Sequence, residues 1–137
     1  MSTGQVFLTL GAIALLSYIT LNISRTYITS VKEAVQIQRE IEIINYGQSL
    51  SELMYSQSTN YDNFHVQYGN LSDINSPGSR LSYGTQSGDS LYATIDISPE
   101  EVILLDEMGR IATVTIFEQE ESNFIQKARF FTAITPM

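Results

Sequence analysis

The residues that could do chemistry in this chain are few, and cysteine is absent. That excludes disulfides, thiolate metal sites and a cysteine nucleophile. His65 is the single histidine. No serine, cysteine or second ligand stands at a spacing that would make it part of a nucleophile pair or a metal set, so it reads as structural. Asp73-Ile74-Asn75-Ser76-Pro77-Gly78 has the opening of a calcium loop. Pro77 occupies the third ligand position and Gly84 the twelfth, where glutamate is required, so the stretch reads as a turn. Gly84-Thr85-Gln86-Ser87-Gly88 brackets a serine with glycines. The serine is off centre and no lysine follows, which rules out a nucleophile elbow and a phosphate loop. Glu118, Glu120 and Glu121, with Asp62, Asp89 or Asp96, have the charge for a divalent cation, but nothing in their spacing requires one. They read as the solvated end of a hairpin. No carboxylate pair stands out for acid–base work. The expectation is a chain that is not an enzyme and needs no cofactor or metal.

The informative stretch is instead Gly4 to Ser24, which contains no side chain charged at neutral pH; the first is Arg25. About 20 apolar residues at 1.5 Å of rise make a helix of roughly 30 Å, the thickness of a bilayer's hydrocarbon core. A cleaved secretory signal needs a basic n-region and a small-x-small site. Residues 1–3 carry no base, and the run ends at Asn22-Ile23-Ser24. A core helix of a soluble protein would show a charged face, and this one has none. The segment is therefore expected to lie in a membrane or against copies of itself. Gly4, Gly11, Ala12, Ala14 and Ser17 are small enough to let helices approach closely. Arg25 and Lys32 follow the segment, which by the positive-inside count puts its C-terminal side in the cytoplasm. The remainder of the chain reads as an exported domain, and the two indications oppose each other.

Helical periodicity continues from residue 25 to about 57. One apolar line runs through Ile28, Val31, Val35, Ile41 and Ile44, and a neighbouring one through Ile37, Ile43, Tyr46, Leu50, Leu53 and Met54. No proline occurs before Pro77. Gly47 is the weak point, costing about 1 kcal/mol relative to alanine. The helix is expected to end between Ser56 and Asn60. At ~75–80 Å it is too long for an 80-residue head to cover, so much of it must meet lipid or other subunits.

Residues 58–90 are dense in Gly, Asn, Ser and Pro and read as a loop-rich connector, with Phe64–Tyr68 a short strand or anchored loop. Residues 91–137 read as an antiparallel head. Leu91, Ala93, Ile95 and Ile97 share one strand face, residues 111–117 make a central strand, and residues 127–134 a last one. Glu101–Leu105 fits a strand entering a hairpin, while Ser98-Pro99-Glu100-Glu101 also fits a helix start. The expected fold is α+β. A long N-terminal α-helix, apolar in its first half (1–24) and an amphipathic stem in its second (25–57), packs against a small antiparallel sheet of three or four strands. Net charge is −8, of which −7 lies beyond residue 57. So acidic a head does not bind nucleic acid by releasing counterions.

This order of parts resembles the type IV pilin and pseudopilin family of bacterial filaments over the whole chain. Gly47-Gln48-Ser49-Leu50-Ser51-Glu52-Leu53, followed by Tyr61-Asp62, also resembles the end of the stem in such proteins. The resemblance implies a structural subunit that rests in the bacterial inner membrane and then joins an extracellular or periplasmic filament with the help of assembly machinery. It implies processing after Gly4, with Gln5 as the new first residue. It also implies helical homo-oligomers packed through Val6, Phe7, Leu8, Leu10, Ile13, Leu15, Leu16, Ile19 and Leu21. The chain departs from the family motif in three places. The leader Met-Ser-Thr-Gly has no base, Gln5 stands where phenylalanine is usual, and Thr9 stands where the family has glutamate. The alternative is a single-span membrane-anchored protein whose acidic head binds an envelope partner.

Overall fold

The computed structural model describes residues 2–85 and 88–137. The fold is α+β, a long N-terminal helix with an antiparallel sheet packed on its later turns. Helix α1 spans Thr3–Ser56. Two compact units divide the chain, Met1–Arg39 and Glu40–Met137. The first unit is helix throughout from Thr3 onward, and residues 2–38 are all exposed. The second, here called the head unit, holds the last turns of α1, a 3-10 turn at Gln57–Asn60, helix α2 (Tyr61–Tyr68) and a short 3-10 turn at Pro77–Ser79. Five strands follow: β1 (Leu81–Gly84), β2 (Ser90–Ile97), β3 (Glu101–Leu104), β4 (Glu107–Glu120) and β5 (Asn123–Ile134).

Strand β4 is the centre of the sheet. β2 pairs antiparallel with its residues 112–118, and β3 with its residues 107–109. The Ser98 amide donates to the Ile111 carbonyl between them, so β2 and β3 act as one strand interrupted at Pro99. β5 pairs along β4 from Arg110↔Ile134 to Glu120↔Asn123, with a register shift at Ile116/Phe117. β1 adds to the far side of β2. Alternation puts Leu91, Ala93 and Ile95 of β2 on the same face as Ala112, Val114 and Ile116 of β4, and all six are buried. Ile43, Leu50 and Met54 of α1 and Tyr61 and Phe64 of α2 close over that face, and Ile134 completes the core.

Several expectations are corrected. Phe64–Tyr68 is not a strand or loop but the end of α2, because Tyr61, Phe64 and Tyr68 recur at helical spacing and all three turn toward the sheet core. The stretch 58–90 is less a connector than part of the head, contributing α2 and the edge strand β1. The sheet has five strands rather than three or four. β4 and β5 each start four residues earlier than the sequence indicates. Of the two readings of the stretch after Ser98, the strand is the one formed, over Glu101–Leu104. Of the two apolar lines on the stem, the one through Ile28, Val31, Val35, Ile41 and Ile44 is exposed. The buried seam runs through Ile43, Gly47, Leu50 and Met54. Gly47 is therefore no weak point. A β-carbon there would overlap the ring of Phe130 on β5, so only glycine lets the helix approach the sheet this closely.

Aromatic contacts fasten the edges. Tyr46 of α1 stacks on Tyr83 of β1, centroids 4.9 Å apart. On the other face of the sheet the Arg80 guanidinium lies over Tyr92 at 4.6 Å and over Phe124 at 4.8 Å, and donates to the Ile74 carbonyl at 2.8 Å. Burial, and then the neighbouring Tyr83 phenol, push the Tyr46 hydroxyl up from 10.0 to about 12. The folded state thus favours the neutral phenol. Its contribution is complete below pH 10 and is lost as pH rises through about 12. Denaturant melts across this alkaline window should show stability falling in the wild type and a shallower fall in Tyr46→Phe. Parallel curves would show that Tyr46 is not the titrating group.

Candidate functional site: the exposed apolar helix

The first turn of α1 is closed by a reciprocal pair. The Gln5 amide donates to Ser2 Oγ at 3.3 Å, and the Ser2 amide donates to Gln5 Oε1 at 3.3 Å. This is a capping box, readable in the sequence as Ser-x-x-Gln and missed when the segment is searched only for a leader. The Val6 amide donates to the Ser2 carbonyl at 3.2 Å and continues the ladder. Gly4 and Gln5 therefore sit inside the first helical turn, and cleavage between them requires that turn to open.

From this cap the helix runs without a charge to Arg25. All nine residues expected to mediate assembly are exposed: Val6, Phe7, Leu8, Leu10, Ile13, Leu15, Leu16, Ile19 and Leu21, with Leu8 reaching 76%. The segment is long and apolar enough to cross a membrane. Its two threonine hydroxyls suit an apolar medium. Thr9 Oγ1 donates to the Gln5 carbonyl and Thr20 Oγ1 to the Leu16 carbonyl, each at 2.8 Å, so neither hydroxyl needs water as an acceptor. Thr9 thus occupies the fifth position after Gly4 as a neutral group bonded back into its own helix.

The other groups that could do chemistry lie in the head unit. His65 lies in α2 with its ring edge-on to Phe64, and its Nδ1 is buried without a partner. The Asp73 carboxylate accepts from the Asn75 amide at 3.0 Å, which makes the Asp73–Gly78 stretch a turn. Within Gly84–Gly88, Gln86 and Ser87 lie outside the described residues. Glu118 and Glu120 lie on β4 with the Lys127 ammonium 3.9 Å from each, and Glu121 takes a left-handed conformation in the turn into β5. Among the described residues no three His, Asp or Glu side chains converge on a point that could hold a metal. The Tyr61 hydroxyl donates to Glu100 Oε1 at 2.9 Å. Burial, and then this bond to the carboxylate, raise its pKa above the usual phenol value. It fastens α2 to the start of β3.

No protein-family model, curated protein or solved structure matches this chain.

Proposed function

We propose that the chain is a structural subunit of a filament of the type IV pilus or secretion-pseudopilus kind, assembled through the first half of α1. The observation that carries this reading is the uncharged helix 5–24, whose large apolar side chains are exposed while the core of the head is built from Ile43 onward. Burying one Leu, Ile or Phe contributes about 1.5–3 kcal/mol relative to water. Nine such residues are not stable in water, and they call for a bilayer or for neighbouring helices. In this reading the segment rests first in the bacterial inner membrane and then packs against the same segment of other copies. Gly11, Ala12, Ala14 and Ser17 allow close approach. Passing from lipid to a filament core gains little hydrophobic free energy, because both are apolar. Assembly machinery is therefore part of the proposal. The acidic head faces solvent in an extracellular or periplasmic filament.

Sheared surface material, viewed by negative-stain microscopy and analysed by mass spectrometry, tests this. The expected result is filaments containing this chain, and a peptide beginning at Gln5 would mark processing after Gly4. The capping box across Gly4 and the threonine at position 9 favour a second reading, a single-span anchor whose head binds an envelope partner. Under it the chain stays monomeric in detergent, keeps Ser2 and never appears in sheared material.

A further inference from the structure

The β3–β4 hairpin turns through Leu105 and Asp106, with φ of 47° and 67°. Leu104 pairs with Glu107, so these two residues are the whole loop. Two-residue loops with both residues left-handed favour Asn-Gly or Asp-Gly. Asp106 tolerates that conformation, whereas the β-carbon of Leu105 opposes it. The strained leucine is also 91% exposed, and Val102, Leu104 and Met108 beside it are exposed as well. The tip therefore stabilises neither the turn nor the core. A strained backbone that holds an apolar group in water points to contact with something outside the chain.

The surroundings of the tip restrict what that is. Residues 100–109 carry Glu100, Glu101, Asp106 and Glu107 and no base. Such a surface is repelled by anionic lipid. It complements a surface that is both apolar and basic. One stripe of α1 has that character: Arg25, Ile28, Lys32, Val35 and Arg39 follow each other at steps of three and four, which places them on one helical face. Ile28 and Val35 are exposed there. Residues 25–39 hold three bases against Glu33, and Glu40 and Glu42 follow directly.

We propose that the β3–β4 tip of one copy docks on the Arg25–Arg39 stripe of a second copy, with Leu104 and Leu105 against Ile28 or Val35 and the flanking carboxylates against the bases. This rests on the self-assembly reading above and adds to it a second contact, away from the apolar segment.

The absence of native cysteine makes the test clean. Two differently tagged full-length chains are co-expressed, one carrying Leu105→Cys and the other Ile28→Cys or Val35→Cys, and their membranes are treated with a mild oxidant. A disulfide forms only where the α-carbons come within about 7 Å. The expected result is a heterodimer band that is lost when Glu101 and Glu107 are both changed to lysine and returns when Lys32→Glu is added to the other chain. Sedimentation of the same material reports association separately. Copies that associate without forming either heterodimer overturn the docking and leave assembly standing. Copies that do not associate at all overturn both. A heterodimer that survives the charge reversal overturns the electrostatic basis of the proposal.

Discussion

Alanine in place of Gly47 is expected to destabilise the head by about 2 kcal/mol, although alanine is the better helix former. Two effects oppose each other. Gly→Ala in a helix gains about 1 kcal/mol from propensity. Against this, the added methyl would overlap one edge of the Phe130 ring. Overpacking a well-filled core costs about 1–3 kcal/mol. An overlap with an aromatic ring, not with the loose end of a long side chain, belongs at the upper end of that range. Gly47 is itself buried in the seam between Ile43 and Leu50, and Phe130 packs against the core from β5. The helix and the sheet must therefore separate, or the ring must leave its place. For a unit of this size each kcal/mol is worth roughly 4–8 °C, so the thermal midpoint should fall by about 10 °C.

The pair of Gly47→Ala with Phe130→Leu separates the two effects. Phe130→Leu alone loses packing, but it also removes the flat ring that the methyl would meet. The double variant should be more stable than the sum of the two singles implies, by well over the ~0.5 kcal/mol at which independent sites stop adding. Additive singles, or a Gly47→Ala chain melting at or above wild type, would mean the glycine serves no close contact.

The seam shows what was legible in the sequence. Period two made β2 readable, since Leu91, Ala93 and Ile95 alternate with polar neighbours and face the core. Period 3.6 showed that residues 25–57 are helical but left two apolar lines, and periodicity alone cannot say which one meets the sheet. Gly47 was the usable clue. It falls at four and three residues from Ile43 and Leu50, in the row that ends at Met54, and a glycine in such a row marks close approach more than weakness. Helix α2 is hard to read because Phe64–Tyr68 is short enough to fit either period, and the helical set is complete only when Tyr61 is included. β1 carries a glycine and just four residues, so its pairing with β2 decides its structure and its own propensity does not. The candidate site was the most legible part, because it depends on the absence of charge over 20 consecutive positions and on no tertiary contact. The β3–β4 tip was the least legible. Leu105 looks like one more residue of an apolar strand until its backbone angle and exposure are known.

Arginine in place of Leu16 is expected to abolish stable membrane integration and filament recovery while leaving the head folded. Leu16 lies near the middle of the uncharged segment and is exposed. A basic residue at the centre of a spanning helix costs about 2.5–3.5 kcal/mol, roughly a hundredfold in partitioning. No other residue from 5 to 24 offers a carboxylate to pair with it. Close to the end of the segment the cost falls, because a long side chain can carry its charge back to the interface. Phe7→Arg should therefore be milder than Leu16→Arg, and Ser30→Arg, beyond the segment, close to neutral. The core of the head begins at Ile43, so thermal melts of all three variants should match wild type. Carbonate extraction of membranes reads the first effect and recovery of sheared material the second. If Leu16→Arg stays in the carbonate-resistant pellet and still yields filaments, position 16 is not buried in lipid or in a subunit core. If it stays in the membrane but yields no filaments, the segment spans with room for one charge, and helix–helix packing is the step that the charge blocks.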